Sequence, residues 1–165
     1  MCICSPMSLA IYKKRRDFKK TPEPIKGKKS LGKKSVFVIQ KHHARHLHYD
    51  FRLEMDGILK SWAVPKGPPK KLQEKHLAIL TEDHPLDYAH FEGMIPKGHY
   101  GAGKVEIWDK GTFTPLKKEI PLKKAFKSGL IEVHLEGIRL KGNYALIHFK
   151  ENNWLFIKMK KKKNP

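Results

Sequence analysis

From Leu47 the chain alternates strictly. Leu47, Tyr49, Phe51 and Leu53 fall on one side, and His48, Asp50, Arg52 and Glu54 on the other. That period of two predicts a strand with one apolar row for a core. Asp56-Gly57 comes next as a hairpin signal, and Ile58–Val64 reads as the returning strand. Pro65-Lys66-Gly67-Pro68-Pro69 ends that strand in a rigid loop. His76–Thr81 is a short apolar strand that runs into the Glu82-Asp83-His84-Pro85 turn. Farther on, Val105–Trp108, Leu130–Leu135, Asn143–Phe149 and Trp154–Met159 are β-rich, with a turn at Glu151-Asn152-Asn153. Leu122–Ser128 is the exception: Pro121 before it and Gly129 after it frame a single helical segment. Many short strands and little helix predict an all-β barrel. No internal repeat is visible.

Gly98-His-Tyr-Gly-Ala-Gly103-Lys104 has the spacing of a phosphate-binding loop. The residue that should supply a hydroxyl is Val105, and the run Val105–Trp108 is strand-like where such a loop needs a helix. A glycine-rich hairpin or bulge is the better reading, and triphosphate binding is excluded.

Charge changes the picture. The 165 residues carry 35 Lys+Arg against 16 Asp+Glu, a formal net charge of +19. One domain of that length buries a real core, and its excess charge calls for a polyanionic partner, nucleic acid first. No apolar run approaches the roughly 18 residues that span a bilayer, and no basic amphipathic helix of useful length offers a membrane surface. Met1–Ile11 lacks a basic start and is broken by Cys2, Cys4, Ser5 and Pro6, so it is not read as a signal peptide. The two cysteines build no disulfide framework, and a reducing, cytoplasmic setting is expected. Residues 1–35 read as a basic arm and 160–165 as a basic tail, flanking a domain at 36–159. The plain reading of Tyr12–Ser35 is an unstructured, Lys-rich segment for phosphate backbones.

Candidate chemistry sits on the polar row of the first strand. His48 and Asp50 lie roughly 6.5–7 Å apart on one face, close enough to converge on one metal ion. His42 would be about 20 Å away in an unbroken strand. It joins only if the chain turns between Lys41 and His46, which makes Val36–Gln40 a separate strand. Against this stands an ordinary alternative, since strand histidines are more often surface residues than ligands, and Arg52 beside Asp50 is a plain ion pair.

Two ordered blocks go further. Phe37–Glu54 with Leu59–Pro68, and Thr81–Tyr88 with Phe91–Gly93 and Ile95–Gly103, resemble the 3′-phosphoesterase domain of bacterial and archaeal DNA ligase D. The resemblance runs from about Tyr12 to Lys158. It implies a small closed barrel with its active site in a surface groove. It implies His42, His48 and Asp50 as ligands of Mn²⁺, with Zn²⁺ or another divalent cation also compatible with the donor set. It implies a catalytic set of His42, His48, Asp50, Arg52, Lys66, Glu82, His84 and Tyr88, and phosphate contacts from Arg52, His84, Lys66, Gln40 and His76. At the Lys75-His76 position relatives usually carry a basic pair, so His76 is a departure. Arg15-Arg16-Asp17-Phe18 and Thr21-Pro22-Glu23-Pro24 resemble the family's arm, which folds over the core; Arg16, Asp17 and Glu23 become supporting residues. The implied substrate is a DNA primer-template 3′ end bearing a ribonucleotide or a 3′-phosphate, trimmed to a 3′-hydroxyl during end joining. A non-catalytic basic nucleic-acid-binding protein is the alternative. No nucleotidyltransferase lysine motif is present, so a monomeric, stand-alone enzyme is expected, with any ligase or polymerase on a separate chain.

Overall fold

The computed structural model describes residues 9–24 and 34–160. Cys2, Cys4 and all of the expected basic tail except Lys160 lie outside the described residues. In chain order the elements are α1 (Leu9–Lys14), β1 (Ser35–His43), β2 (Leu47–Met55), β3 (Ile58–Val64), β4 (Lys75–Leu80), β5 (His84–Pro85), a 3₁₀ turn (Leu86–His90), β6 (Gly93–Ile95), β7 (Gly103–Pro115), α2 (Leu122–Ser128), β8 (Leu130–Gly137), β9 (Lys141–Lys150) and β10 (Asn153–Lys158). All strand pairs are antiparallel. The order β1-β2-β3-β4-β10-β9-β8-β7 returns to β1 through a β1–β7 pairing, closing an eight-stranded barrel. β5 and β6 pair edge to edge with β3 and β7, along stretches that β4 and β8 leave free.

The predicted turns form for the predicted reasons. Asp56 and Gly57 both take positive φ, 50° and 82°, as a type I′ hairpin requires. α2 stops at Gly129, whose left-handed φ of 83° lets its N–H reach back to Ala125 and Phe126. Inside the barrel Phe37, Ile39, Phe51, Leu53, Trp62 and Trp154 form the main core, and Phe126 of α2 stacks on Trp154. Leu47, expected in that core, is 49% exposed because it begins β2 at the rim.

A second apolar cluster lies outside the barrel wall. Val38, Leu59 and Val105 pack there against Leu86, Tyr88 and Phe91 from the 3₁₀ region and Tyr12 from α1. A bulge makes this possible. Ile39 pairs with Asp109, but Gln40 pairs with Ile107, so Trp108 is an extra residue on β7. Beyond it the faces of β7 exchange, with Phe113 inside the barrel and Val105 outside. The polar row of β2 is therefore not a solvated face. Asp50 and Arg52 are buried beneath the outer cluster and the arm. Leu9–Pro24 fold onto the barrel, with Tyr12 fully buried, so an unstructured arm does not describe these residues.

Gly103 lets β7 approach the end of β1. A Cβ built there would collide with the His43 carbonyl oxygen, and its φ of 129° disfavours any side chain. Gly103→Ala is expected to cost about 1–3 kcal/mol of stability, read as a lower melting temperature. An unchanged melt would show that β7 can retreat freely beside His42.

Candidate metal centre and phosphate cleft

The β1–β2 register sets His42 opposite His48, Gln40 opposite Asp50 and Val38 opposite Arg52. The turn at Ala44–His46 thus brings His42 to the polar row, as the sequence required. The two imidazoles lie 4.8 Å apart between centroids. His42 Nδ1 is 3.4 Å from Asp50 Oδ2, and His48 Nε2 is 3.3 Å from Asp50 Oδ1. One ligand atom from each of the three falls within 4.8 Å of the others.

Two backbone carbonyls decide what these atoms offer. His42 Nε2 sits 2.6 Å from Gly101 O, and His48 Nδ1 sits 3.0 Å from His46 O. A carbonyl only accepts, so each of those nitrogens carries its proton. The other nitrogens, Nδ1 of His42 and Nε2 of His48, then turn lone pairs toward the Asp50 carboxylate. Two lone pairs and an anion facing one another repel unless a cation lies among them. Outer hydrogen bonds that fix the tautomer are also how metal-binding histidines are oriented. The N, N, O donor set fits Mn²⁺ or Zn²⁺. Where no cation lies there, a proton takes its place. Burial works against charge on His48, yet Asp50 draws a proton to it and raises its pKa. Burial also opposes the Asp50 carboxylate, but the Arg52 charge and the two imidazoles outweigh it and hold Asp50 well below the usual carboxylate range.

Arg52 is fixed on every side, with only 4% of its side chain exposed. Nε donates to Gln40 Oε1 at 2.7 Å, Nη2 lies 3.5 Å from Asp50 Oδ2, and Nη1 is 3.2 Å from His84 Nδ1. The guanidinium covers the Tyr88 ring at 4.8 Å. Gln40 is itself pinned, donating to Tyr88 O at 2.8 Å and Phe91 O at 3.0 Å. His84 Nδ1 is also 2.9 Å from Glu82 O; it can donate there or accept from Arg52, one at a time. Burial, then the charges of Arg52 and Arg16, push the His84 pKa well below its ordinary value, so the ring is neutral.

The arm completes a cleft of about 340 Å³. Arg16 Nε donates to both Glu23 carboxylate oxygens at 2.9 Å, and its Nη2 reaches Glu82 Oε1 at 3.0 Å. Its guanidinium lies between the Tyr12 and Tyr100 rings, at 4.8 and 4.7 Å. Arg16 Nη1 is buried without a hydrogen-bond partner among the described residues. Arg15 Nη1 donates to Glu82 Oε2 at 2.8 Å and meets the Tyr100 hydroxyl at 2.9 Å. Tyr88 OH donates to Glu23 Oε2 at 2.7 Å, and burial followed by the Glu23 charge keeps that phenol protonated.

The remaining expected residues fall elsewhere. Gln40 is fully buried, with its amide engaged by Arg52 and two carbonyls. His76 lies on β4, its nitrogens taken by Gly67 O and Glu74, outside the cleft lining. Lys66 is exposed on the β3–β4 loop and also does not line the cleft. Asp17 is exposed and accepts from the Lys19 N–H, closing a turn. Sequence reading missed Tyr12, Arg15, Tyr100 and the Gly101 carbonyl.

A family model described as the DNA ligase D 3′-phosphoesterase domain matches residues 40–148. The chain belongs to that family. The match takes in His42, His48, Asp50, Arg52, Glu82, His84 and Tyr88 but not Arg16 or Glu23. Similar full-length relatives include the "Multifunctional non-homologous end joining DNA repair protein LigD" of Mycobacterium tuberculosis, 52% identical over 158 residues. The LigD proteins of Pseudomonas aeruginosa and Mycolicibacterium smegmatis are 48% identical over 162 residues and 50% identical over 160. Each comparison covers 94% of this chain, but only 20%, 19% and 21% of the three relatives in turn. The chain thus spans about a fifth of the length of the relatives it matches, and the similarity extends beyond the family model to include most of the arm.

Proposed function

We propose that this chain is a metal-dependent phosphoesterase that heals DNA 3′ ends, removing a terminal ribonucleoside and then the 3′-phosphate to leave a ligatable 3′-hydroxyl in end-joining repair. The observation that carries it is the pair of tautomer-fixed imidazoles facing Asp50, beside a buried, fully braced Arg52. His42, His48 and Asp50 would hold one divalent cation, Mn²⁺ by family and Zn²⁺ by donor type. When bound, it supplies Lewis-acid polarisation of a phosphate oxygen.

The protein's own groups do the rest. Gln40 takes the Nε hydrogen of Arg52, and with one hydrogen each turned to His84 and Asp50, Nη1 and Nη2 keep one N–H apiece for phosphate oxygens. When His84 Nδ1 accepts from Arg52, its Nε2 carries the proton and can donate to a departing oxygen. The free Nη1 of Arg16, steadied by Glu23 and Glu82, would donate to a terminal nucleoside bound in the cleft that Arg16 lines. Residues 36–159 would carry the metal and phosphate groups, residues 9–24 of the basic arm (1–35) would complete the cleft, and the rest of the arm with the tail (160–165) would add phosphate-backbone contacts. Ligase and polymerase partners, in this chain's context or another, belong to the same proposal. None of the described helices is long and apolar enough to cross a membrane.

The test is a primer-template ending in one ribonucleotide. Nucleoside and then phosphate should be released with Mn²⁺, release should stop on chelation, and an all-deoxy end should resist the first step. Binding of the primer without release at any divalent metal would favour the non-catalytic reading. Arg16→Ala is expected to slow nucleoside removal about tenfold or more, the cost of a charged hydrogen bond, while a pre-formed 3′-phosphate is still removed. Equal slowing of both steps would place Arg16 in general support of the cleft.

A further inference from the structure

Beside the catalytic cleft lies a larger, shallower depression of about 900 Å³, lined in part by Lys41, Met94, Lys104, Trp108 and Arg139. It opens where β7 is flanked by neither β6 nor β8, since β6 pairs only with Gly103–Val105 and β8 only from Gly111 onward. The bulge that inserts Trp108 sits in this gap. Three of its lining side chains, Lys41, Trp108 and Arg139, form a ladder with Tyr49, which packs behind them against the barrel core. Lys41 Nζ is 6.0 Å from the Tyr49 ring, Tyr49 meets Trp108 edge-on at 5.7 Å, and the Arg139 guanidinium covers Trp108 at 4.8 Å. Arg139 is held there by a 2.8 Å hydrogen bond from Nε to Trp108 O.

The ladder shares strands β1 and β2 with the metal centre. Lys41 and Tyr49 adjoin His42, His48 and Asp50 along β1 and β2, on the opposite face. At this end of the barrel β1, β3, β8 and β10 finish and β2, β4, β7 and β9 begin. Lys41, Lys66, Lys75, Lys141 and Arg139 ring it, and among the described residues none of them pairs with a carboxylate. The carboxylates nearby are engaged: Glu106 with Lys104 and His43, and Glu92 with the Ile107 N–H. Unpaired cations interleaved with half-exposed rings suit a single nucleic-acid strand, which offers both phosphates and unstacked bases. A duplex offers only the phosphates.

We infer that the Lys41–Tyr49–Trp108–Arg139 ladder is a platform for a single-stranded polynucleotide segment continuing beyond the 3′ end held in the cleft. This rests on the nucleic-acid reading above, but its test needs no turnover. The chain has three tryptophans, and Trp62 and Trp154 are fully buried, at 0% exposure each. Quenching by a bound base therefore reports on Trp108. A thymidylate oligomer of about a dozen residues should quench the intrinsic fluorescence, and Trp108→Phe, which keeps the packing, should abolish the change. Arg139→Glu should weaken binding about tenfold and reduce the salt slope by about 0.7 for each phosphate it no longer neutralises. Near-ultraviolet circular dichroism confirms that both variants fold. Equal quenching by a duplex or by polyglutamate, no quenching at all, or unchanged affinity in Arg139→Glu would each overturn the platform. Failure of the parental protein to release phosphate would instead overturn only the phosphoesterase reading.

Discussion

Asp50→Ala is expected to abolish both divalent-cation binding and phosphate release, and to destabilise the fold more than His42→Ala or His48→Ala. All three donors lie within 4.8 Å of one another, so removing any one leaves two, and the loss of affinity should exceed the roughly 10–100-fold typical of losing an outer partner. Asp50 differs because it also faces Arg52, 3.5 Å away, with 8% and 4% of the two side chains exposed. Taking away the carboxylate leaves a guanidinium in the cleft without its anion, a loss of about 3–5 kcal/mol where such a pair is buried. The pH dependence has a definite sign. Asp50 is held below the ordinary carboxylate range, so its stabilising effect is fully present above an unfolded pKa of about 4. It disappears only as pH falls through the lower folded value. The Asp50–Arg52 part of the deficit should therefore be undiminished between about pH 5 and 8, while the part carried by His48, whose pKa Asp50 raises, is present at the acid end and fades as pH rises through that raised value. Titration calorimetry with Mn²⁺ and thermal melts of the metal-free proteins check both claims. A variant that still binds metal and turns over normally at limiting Mn²⁺ would remove that residue from the donor set.

The parts of this site that a sequence can display are those carried by one strand and its hairpin partner. The alternation through Tyr49, Phe51 and Leu53 announced the core face of β2, and the same period aligned His48, Asp50 and Arg52. His42 required only a turn before His46, a local condition. The elements that close over that face were illegible. The Gly101 carbonyl that fixes His42 is 59 residues away along the chain, and Arg15 meets Tyr100 across 85. No periodicity encodes such contacts. The arm misled through its composition: its lysines suggest a solvated segment, yet Tyr12 and Arg16 are buried and pull it onto the barrel. The β3–β4 loop and β4 place Lys66 and His76 outside the cleft lining, a position that no local pattern displays. The bulge at Trp108 was equally hidden, because an apolar residue in an apolar strand gives no sign of being the extra one.

Arg52→Lys should reduce turnover about 100- to 1,000-fold, the range for losing a pre-placed donor at a charged transition state, although the positive charge is kept. Arg52 acts through shape. Its Nε is locked to Gln40, Nη1 points to His84 and Nη2 to Asp50, and the plane lies over Tyr88. A lysine ammonium at this position can satisfy one of these directions and cannot present two parallel donors to a phosphate. Metal binding provides the control, because His42, His48 and Asp50 all remain, so Mn²⁺ affinity should change far less than turnover. Gln40→Leu should fall between the two, about tenfold slower if it acts only by holding Arg52. It would also be less stable, since the Tyr88 and Phe91 carbonyls lose their donor. Single-turnover phosphate release at saturating metal and primer separates these cases. Parental rates in Arg52→Lys would reduce Arg52 to a counterion of Asp50, and a Gln40→Leu rate as low as that of Arg52→Lys would mean that the bracing is indispensable to the arginine's action.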